Sequence, residues 1–322
     1  MSHETTIAKA GRVRRGHLLM LIATGLVATS FPLGAAITNE MDSLVLTFLR
    51  FALAALLFAP FVAWRYGIAM PSIQDLARYS ILSACLVGFF WGMFTALQTA
   101  SALNTATIFA LTPVITAGVS ALLLKERLNK ASQIALPAGI IGAVWVIFRG
   151  DPAALLSLNL GWGDGIFFMG TIAMGFYGPL VKYFHRGEPM AQMTFWTLVS
   201  GAVWLLILSA PRLLEVEWSA VPITVYGGIA YLSVFTTLVT FFVFQWSATV
   251  IGPTKVMSYT YLNPALVIVI AIVLGQEVPP LAIIPGLLLI FAATLILQRP
   301  RLFSHPLEDK HEVLAVKTCA SK

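Results

Sequence analysis

The stretch YTYLNPALVI, residues 259–268, sets a proline inside a run long and apolar enough to span a bilayer. An interior proline removes one helical hydrogen bond and collides with the carbonyl four residues back. Pro264 therefore frees the carbonyl of Thr260, and a freed carbonyl at membrane depth must lie within protein or against a water-filled cavity. The composition agrees with a hydrocarbon setting. Of 322 residues, 58% are hydrophobic and 11% charged, against about half and about a quarter in soluble domains. Ten apolar stretches stand out, at 17–37, 44–63, 78–98, 103–124, 132–148, 163–183, 191–210, 222–246, 253–274 and 280–297. A spanning helix needs about 20 such residues. Strands of a membrane barrel alternate apolar and polar residues, and these runs do not. The fold class read from the chain is all-α and polytopic, with ten transmembrane helices and no polar segment long enough for a soluble domain.

Pro264 has a twin. ALTPV at 110–114 faces YLNPA at 261–265, and Pro113 lies 151 residues before Pro264. At the same offset Leu111 meets Leu262, Leu123 meets Leu274, Glu126 meets Glu277, and FAP at 58–60 meets SAP at 209–211. An offset of 147 aligns Gly16 with Gly163, Thr24 with Thr171, Pro32 with Pro179, Leu33 with Leu180 and Gln98 with Gln245. The chain divides into a segment 1–16, a five-helix repeat 17–150, a second five-helix repeat 151–298 and a tail 299–322. Five is odd, so the second repeat enters the membrane from the opposite face. Halves inverted in this way, related by a two-fold axis in the membrane plane, are a common architecture of secondary transporters.

The residues LTPVITAGVSALLLKERL (111–128) and LNPALVIVIAIVLGQEV (262–278), each a proline-broken fourth span ending near a Glu, resemble the drug/metabolite transporter superfamily, EamA type. The resemblance runs from about residue 17 to about residue 297, through both repeats. It implies a secondary transporter of the inner membrane, an exporter of small metabolites such as amino acids or amphiphilic compounds, working by alternating access. It does not name a substrate, because one fold hosts many. A non-transporting scaffold or assembly subunit, or a channel, stands as the alternative.

Charge orients the chain, because cytoplasmic loops collect Lys and Arg. With the N-terminus inside, 17 of the 20 basic residues fall on cytoplasmic segments, while the outer loops hold Arg149 and Arg212 and a span holds Arg50. Both termini are expected to be cytoplasmic. This distribution accounts for the +6 net charge without nucleic acid. Arg12, Arg14 and Arg15 before an apolar run imitate a signal peptide, but the run is long enough to span and reads as a retained first helix. Cys85 and Cys319 supply no disulfide framework.

Substrate sites in such carriers lie near the midplane, on interrupted helices between repeats. On the ninth span Lys255, Ser258, Tyr259, Leu262 and Asn263 share one helical face. The matching face of the fourth span reads Asn104, Thr107, Ile108, Leu111 and Thr112. The candidate substrate-binding residues are Lys255, Ser258, Tyr259, Asn263, Asn104, Thr107 and Thr112, with Trp91 and Arg50. The candidate helix kinks are Pro113, Pro264, Pro32 and Pro179. Each has a plainer reading. Prolines serve packing in many membrane helices, Trp91 is either a cavity ring or lipid-facing bulk, and Arg50 and Lys255 either hold an anionic group or snorkel to the surface. GFFWG at 88–92 and Gly139 with Gly142 read as close-packing positions.

No Asp or Glu lies mid-span and only His17, at a span edge, represents histidine there. A central carboxylate proton relay is therefore not expected. Nucleotide-binding, nucleophile-elbow and zinc motifs are absent from the sequence, so no enzyme activity, cofactor or metal is expected. The expected partners are a small-molecule substrate and the lipid bilayer, with a homodimer left open. Single cysteines at Asn39 and Glu215, in a background without native cysteines, are expected to react with an impermeant thiol reagent from outside, and cysteines at Asn129 and Gly187 are not. Reversed labelling would overturn this orientation.

Overall fold

The computed structural model describes residues 3–38, 40–97, 99, 102–157, 160–275, 278–299 and 303–304. Asn39, Gln98, Glu277 and most of the tail lie outside the described residues. The first helix, α1 (His3–Thr38), has 36 residues. At 1.5 Å per residue it is about 54 Å long, against a hydrocarbon core of about 30 Å. Its apolar part from His17 onward makes the span, and the segment carrying Arg12, Arg14 and Arg15 continues the helix beyond it.

Helix α2 (Ser43–Tyr66) starts at Asp42, whose Oδ1 accepts from the Leu44 backbone N–H at 2.9 Å. This caps one of the donors that every helix start leaves open. Helix α3 (Ile73–Leu97) is continuous. The fourth span is broken, into α4 (Ala102–Phe109) and α5 (Thr112–Leu123). Helix α6 (Lys130–Ile147) is capped by the Asn129 side chain, which accepts from the Ser132 N–H. A short α7 (Pro152–Leu156) links the repeats.

The second repeat follows the same order. It comprises α8 (Trp162–Phe184) and α9 (Met190–Glu215), then an eighth span made of α10 (Ile223–Ser233), a π-helical segment Val234–Val239 and α11 (Thr240–Val250). The ninth span is α12 (Pro253–Ser258), a 3₁₀ segment Tyr259–Leu262 and α13 (Asn263–Val273), and α14 (Ile284–Gln298) completes the set. Besides α1, nine segments among the described residues are long and apolar enough to cross a membrane. The architecture is that of ten transmembrane helices in two inverted five-helix repeats.

The helix pairing carries the two-fold relation. The first span packs on the inner part of the eighth (α1 on α11), and its counterpart, the sixth, packs on the third (α8 on α3). The first also packs on the ninth (α1 on α13), as the sixth does on the fourth (α8 on α5). Three further pairs are their own counterparts, second with seventh (α2 on α9), fifth with tenth (α6 on α14) and fourth with ninth (α5 on α12), and the third packs on the seventh (α3 on α9) as the second does on the eighth (α2 on α10). Two matching groups result, α1 with α10 to α13 and α8 with α3 to α5. At the fifth–tenth pair the backbones touch. A Cβ on Gly142 would fall 2.9 Å from the Gly286 carbonyl oxygen, and a Cβ on Gly286 equally close to that of Gly142, so any side chain at either position pushes the helices apart.

One end of the bundle gathers the basic segments. Lys182 pairs with Glu126 at 2.8 Å, Arg78 Nη1 donates to the Phe184 carbonyl at 2.8 Å, and Lys255 Nζ donates to the Arg299 carbonyl at 3.0 Å. Arg127–Leu128 and Phe303–Ser304 form a two-residue antiparallel pair at this Glu126 end. The opposite end is marked by Asp42 paired with Arg212 at 3.0 Å and by the Trp145 Nε1–H on the Ala282 carbonyl at 2.7 Å.

Candidate functional site

Both midplane prolines start a helix. Pro113 lies in the first turn of α5 and Pro264 in the first turn of α13, where the missing N–H has no partner to lose. The breaks before them, at Ala110–Leu111 and Tyr259–Leu262, are counterparts under the repeat. The freed carbonyls are closed locally. Thr112 Oγ1 donates to the Phe109 carbonyl at 2.6 Å, and the Asn263 backbone N–H donates to that of Thr260. Of the two ways open to a freed carbonyl, a partner within protein or a water-filled cavity, these take the first. Pro32 and Pro179 lie inside helices that continue through them.

The polar stripe of the ninth span does not present one open face. Lys255 and Ser258 turn to the tenth span, where Gln298 Nε2 donates to Ser258 Oγ at 2.9 Å and to the Lys255 carbonyl at 3.1 Å. Tyr259 turns to the first span, its hydroxyl 3.0 Å from His17 Nδ1. Asn263 is buried beside the break, and its Oδ1 has no hydrogen-bond donor among the described residues. On the fourth span Asn104 Nδ2 donates to Asp164 Oδ2 at 3.1 Å, and the Gly161 N–H donates to the same oxygen at 2.7 Å. Thr107 is half-buried and Thr112 fully buried. Lys255 and Ser258 thus sit toward the Glu126 end, and Asn104 sits toward the Asp42 end. Trp91 is 44% exposed and joins no ring pair among the described residues.

The two helix groups meet unequally at the two ends. At the Glu126 end α5 packs on α12, and α8 packs on α11 and α12. There Tyr177 stacks obliquely on Phe244 at 5.5 Å between ring centres, and a Cβ on Gly178 would lie 3.1 Å from that of Pro253. Gln245 ties the junction. Its Nε2 donates to the Tyr177 hydroxyl at 3.0 Å and to Thr197 Oγ1 at 3.3 Å, while its Oε1 accepts from Thr194. All four side chains are buried and each has a partner. Toward the Asp42 end no comparable packing exists among the described residues between α4 and α13. Helix α4 packs on α8, α6 and α3, and α13 packs on α1 and α6.

Arg50 does not snorkel. It is 7% exposed, and its Nη2 donates to Thr236 Oγ1 at 3.3 Å and to Thr237 Oγ1 at 3.2 Å. Both threonines belong to the π-helical segment of the eighth span. The guanidinium carbon lies 5.5 Å from the centre of the Phe90 ring, within cation–π range. Two features escaped the sequence reading, this π segment and the Gln245 network. The match of Gln245 with Gln98 was the one available sign of the second.

The comparisons with known proteins follow the repeat. The family described as EamA-like transporter family matches residues 14–148 and again 161–299. The uncharacterized transporter YyaM of Bacillus subtilis (strain 168) is 29% identical over 244 residues, 75% of this chain and 80% of the relative. Protein PecM of Dickeya dadantii (strain 3937) is 28% identical over 260 residues, 77% of this chain and 84% of the relative. A solved structure, described only as the crystal structure of a protein, superposes with a TM-score of 0.72 at 17% identity, covering 88% of this chain and 97% of the other. At that identity the likeness concerns the fold.

Gln245→Leu leaves the buried Tyr177 hydroxyl without its donor. It is expected to cost about 1–3 kcal/mol, read as a lower melting temperature of the detergent-purified protein. Thr197→Val, whose hydroxyl also bonds locally to the Met193 carbonyl, is expected to cost less. A Gln245→Leu protein as stable as wild type would contradict the network's role at the junction.

Proposed function

This chain belongs to the EamA-like transporter family, and we propose that it is a secondary carrier exporting a small metabolite across the inner membrane by alternating access. Its relatives described as transporters agree with the class. The observation that carries the reading is the unequal meeting of the two helix groups. They pack closely around Tyr177, Gln245 and Pro253 at one end and lack that packing between α4 and α13 at the other. A carrier that alternates needs two such states, and an inverted repeat supplies the second by exchanging the roles of its halves. The positive-inside bias makes the Glu126 end cytoplasmic, with both termini, and this conformation the outward-open one.

Within this reading the substrate sits between the groups at the level of the two breaks. Asn263, buried with an unsatisfied oxygen beside Pro264, is the strongest contact among the ninth-span residues. Thr112 and Thr107 flank the counterpart break, and Lys255, Ser258 and Tyr259, held by the tenth and first spans, are the contacts that open when the cytoplasmic end does. Asn104 lies toward the outer face, and Trp91 on the third span completes the wall. The two buried acids stand at span ends and are engaged, Glu126 by Lys182 and Asp164 by Asn104 and the Gly161 N–H. Movement is therefore by facilitated diffusion or exchange and not through a central carboxylate.

The test is counterflow in proteoliposomes across a panel of amino acids and other metabolites, without a pH gradient. The reading expects saturable exchange of at least one compound. Asn263→Ala is expected to reduce it several-fold with little change in melting temperature. Wild-type protein that exchanges no compound contradicts the carrier reading, and concentrative uptake driven by a pH gradient alone contradicts the energetics.

A further inference from the structure

Arg50 is a full positive charge inside the bundle without a negative partner among the described residues. Arginine stays protonated in proteins, and a buried charge without an opposite charge is costly in protein and in membrane alike. Among the described residues no carboxylate forms an ion pair with it. Its recorded hydrogen-bond acceptors are two neutral hydroxyls. Its Nε–H is buried and has no acceptor among the described residues.

The hydroxyls are not equivalent. Thr236 passes its own proton to the Leu232 carbonyl at 2.9 Å, whereas Thr237 accepts from Arg50 and donates to no described group. Adjacent residues on a regular helix point about 100° apart, because 3.6 residues make a turn. The π-helical segment Val234–Val239 instead brings both threonines to one guanidinium nitrogen. Such turns recur at functional sites. Two donors, the Arg50 Nε–H and the Thr237 O–H, therefore stand beside one uncompensated charge.

The surroundings are apolar. Phe90 lies under the guanidinium, and Phe51 meets Phe90 and Phe241 edge-on at 6.0 Å and 5.4 Å. The three elements that converge here are α2, α3 of one helix group and the eighth span of the other. Arg50 is seven residues beyond the start of α2 at Ser43, about 10 Å deep at 1.5 Å per residue, measured from the end where α4 and α13 do not pack.

Resting on the carrier reading above, we propose that Arg50 and Thr237 receive the carboxylate of the transported compound. The substrates are then small carboxylates with an apolar or aromatic body that packs on Phe90. One guanidinium with one hydroxyl donor matches the single charge and two oxygens of a carboxylate. A phosphate ester carries more charge than one arginine compensates. A purely cationic compound would meet repulsion.

The experiment is transport by the full-length protein in proteoliposomes with matched probes: L-phenylalanine against L-phenylalaninamide, 4-hydroxybenzoate against 4-hydroxybenzamide, and phenethylamine as the cation. The inference expects transport of at least one carboxylate, at least tenfold faster than its amide, and none of phenethylamine. Arg50→Gln is expected to abolish it. Arg50→Lys, which keeps the charge but loses the planar fork, is expected to raise KM while retaining part of the maximal rate. Should Arg50→Gln fail to fold, Thr237→Val decides. It nearly preserves shape and is expected to raise KM for the carboxylate several-fold with an unchanged melting temperature. Equal transport of amide and acid, transport of phenethylamine, or Arg50 and Thr237 variants with wild-type KM would overturn the carboxylate assignment and leave the carrier reading standing. Wild-type protein that moves no probe and exchanges nothing from the wider panel would sink both.

Discussion

In hydrocarbon every backbone amide and carbonyl must find its partner within the protein, and a helix breaks there only where protein or a water-filled cavity receives the loose ends. The rest of this molecule is arranged around two such breaks, before Pro113 and before Pro264. Each occupies the same place in its repeat. Each is closed by its own neighbours, the Thr112 hydroxyl in one case and the Asn263 N–H in the other. Each divides a span into two short helices that can pack independently. That division lets α5 rest on α12 at one end while α4 and α13 lack such packing on each other at the other.

The same economy governs the buried polar groups. Gln245, Tyr177, Thr194 and Thr197 satisfy one another and bind the sixth, seventh and eighth spans at the closed end. A fully satisfied network of this kind rigidifies what it joins. Arg50 is the contrast. It has donors to spare and a charge with no counterpart, next to a helical segment wound wider than an α-helix. A buried charge is costlier to leave unpaired than a buried hydroxyl or amide, so among the interior polar groups Arg50 stands apart. Closure at Gln245 holds the bundle at one end, and incompleteness at Arg50 is the observation from which an anionic substrate is proposed.

The ten spans and the inverted repeat were legible because they rest on period and length. An apolar run of about 20 residues has few alternatives, and a proline leaves the same mark in both halves. The facing of side chains was not legible. Spacing tells that Lys255, Ser258, Tyr259 and Asn263 share a side of the ninth span. It does not tell that Lys255 and Ser258 meet Gln298 while Tyr259 meets His17, because the partners lie on other helices. The stretch VFTTLV reads as ordinary helix, since a π turn changes hydrogen bonding without changing composition. Arg50 could be flagged as unusual, but its partners are 186 and 187 residues away. Asp164 could be placed away from mid-span, but not its hydrogen bond from Asn104, 60 residues away on another helix.

The central claim is that the two helix groups move against each other about the breaks, opening one end as the other closes. Electron–electron distance measurements in liposomes test it directly, using one spin-label pair at Thr99 and Leu274 toward the Asp42 end and another at Tyr183 and Thr249 toward the Glu126 end. The account predicts that a transported compound shifts the two distance distributions in opposite senses, one population shortening as the other lengthens. Two distributions that stay fixed together, or widen together, would contradict it.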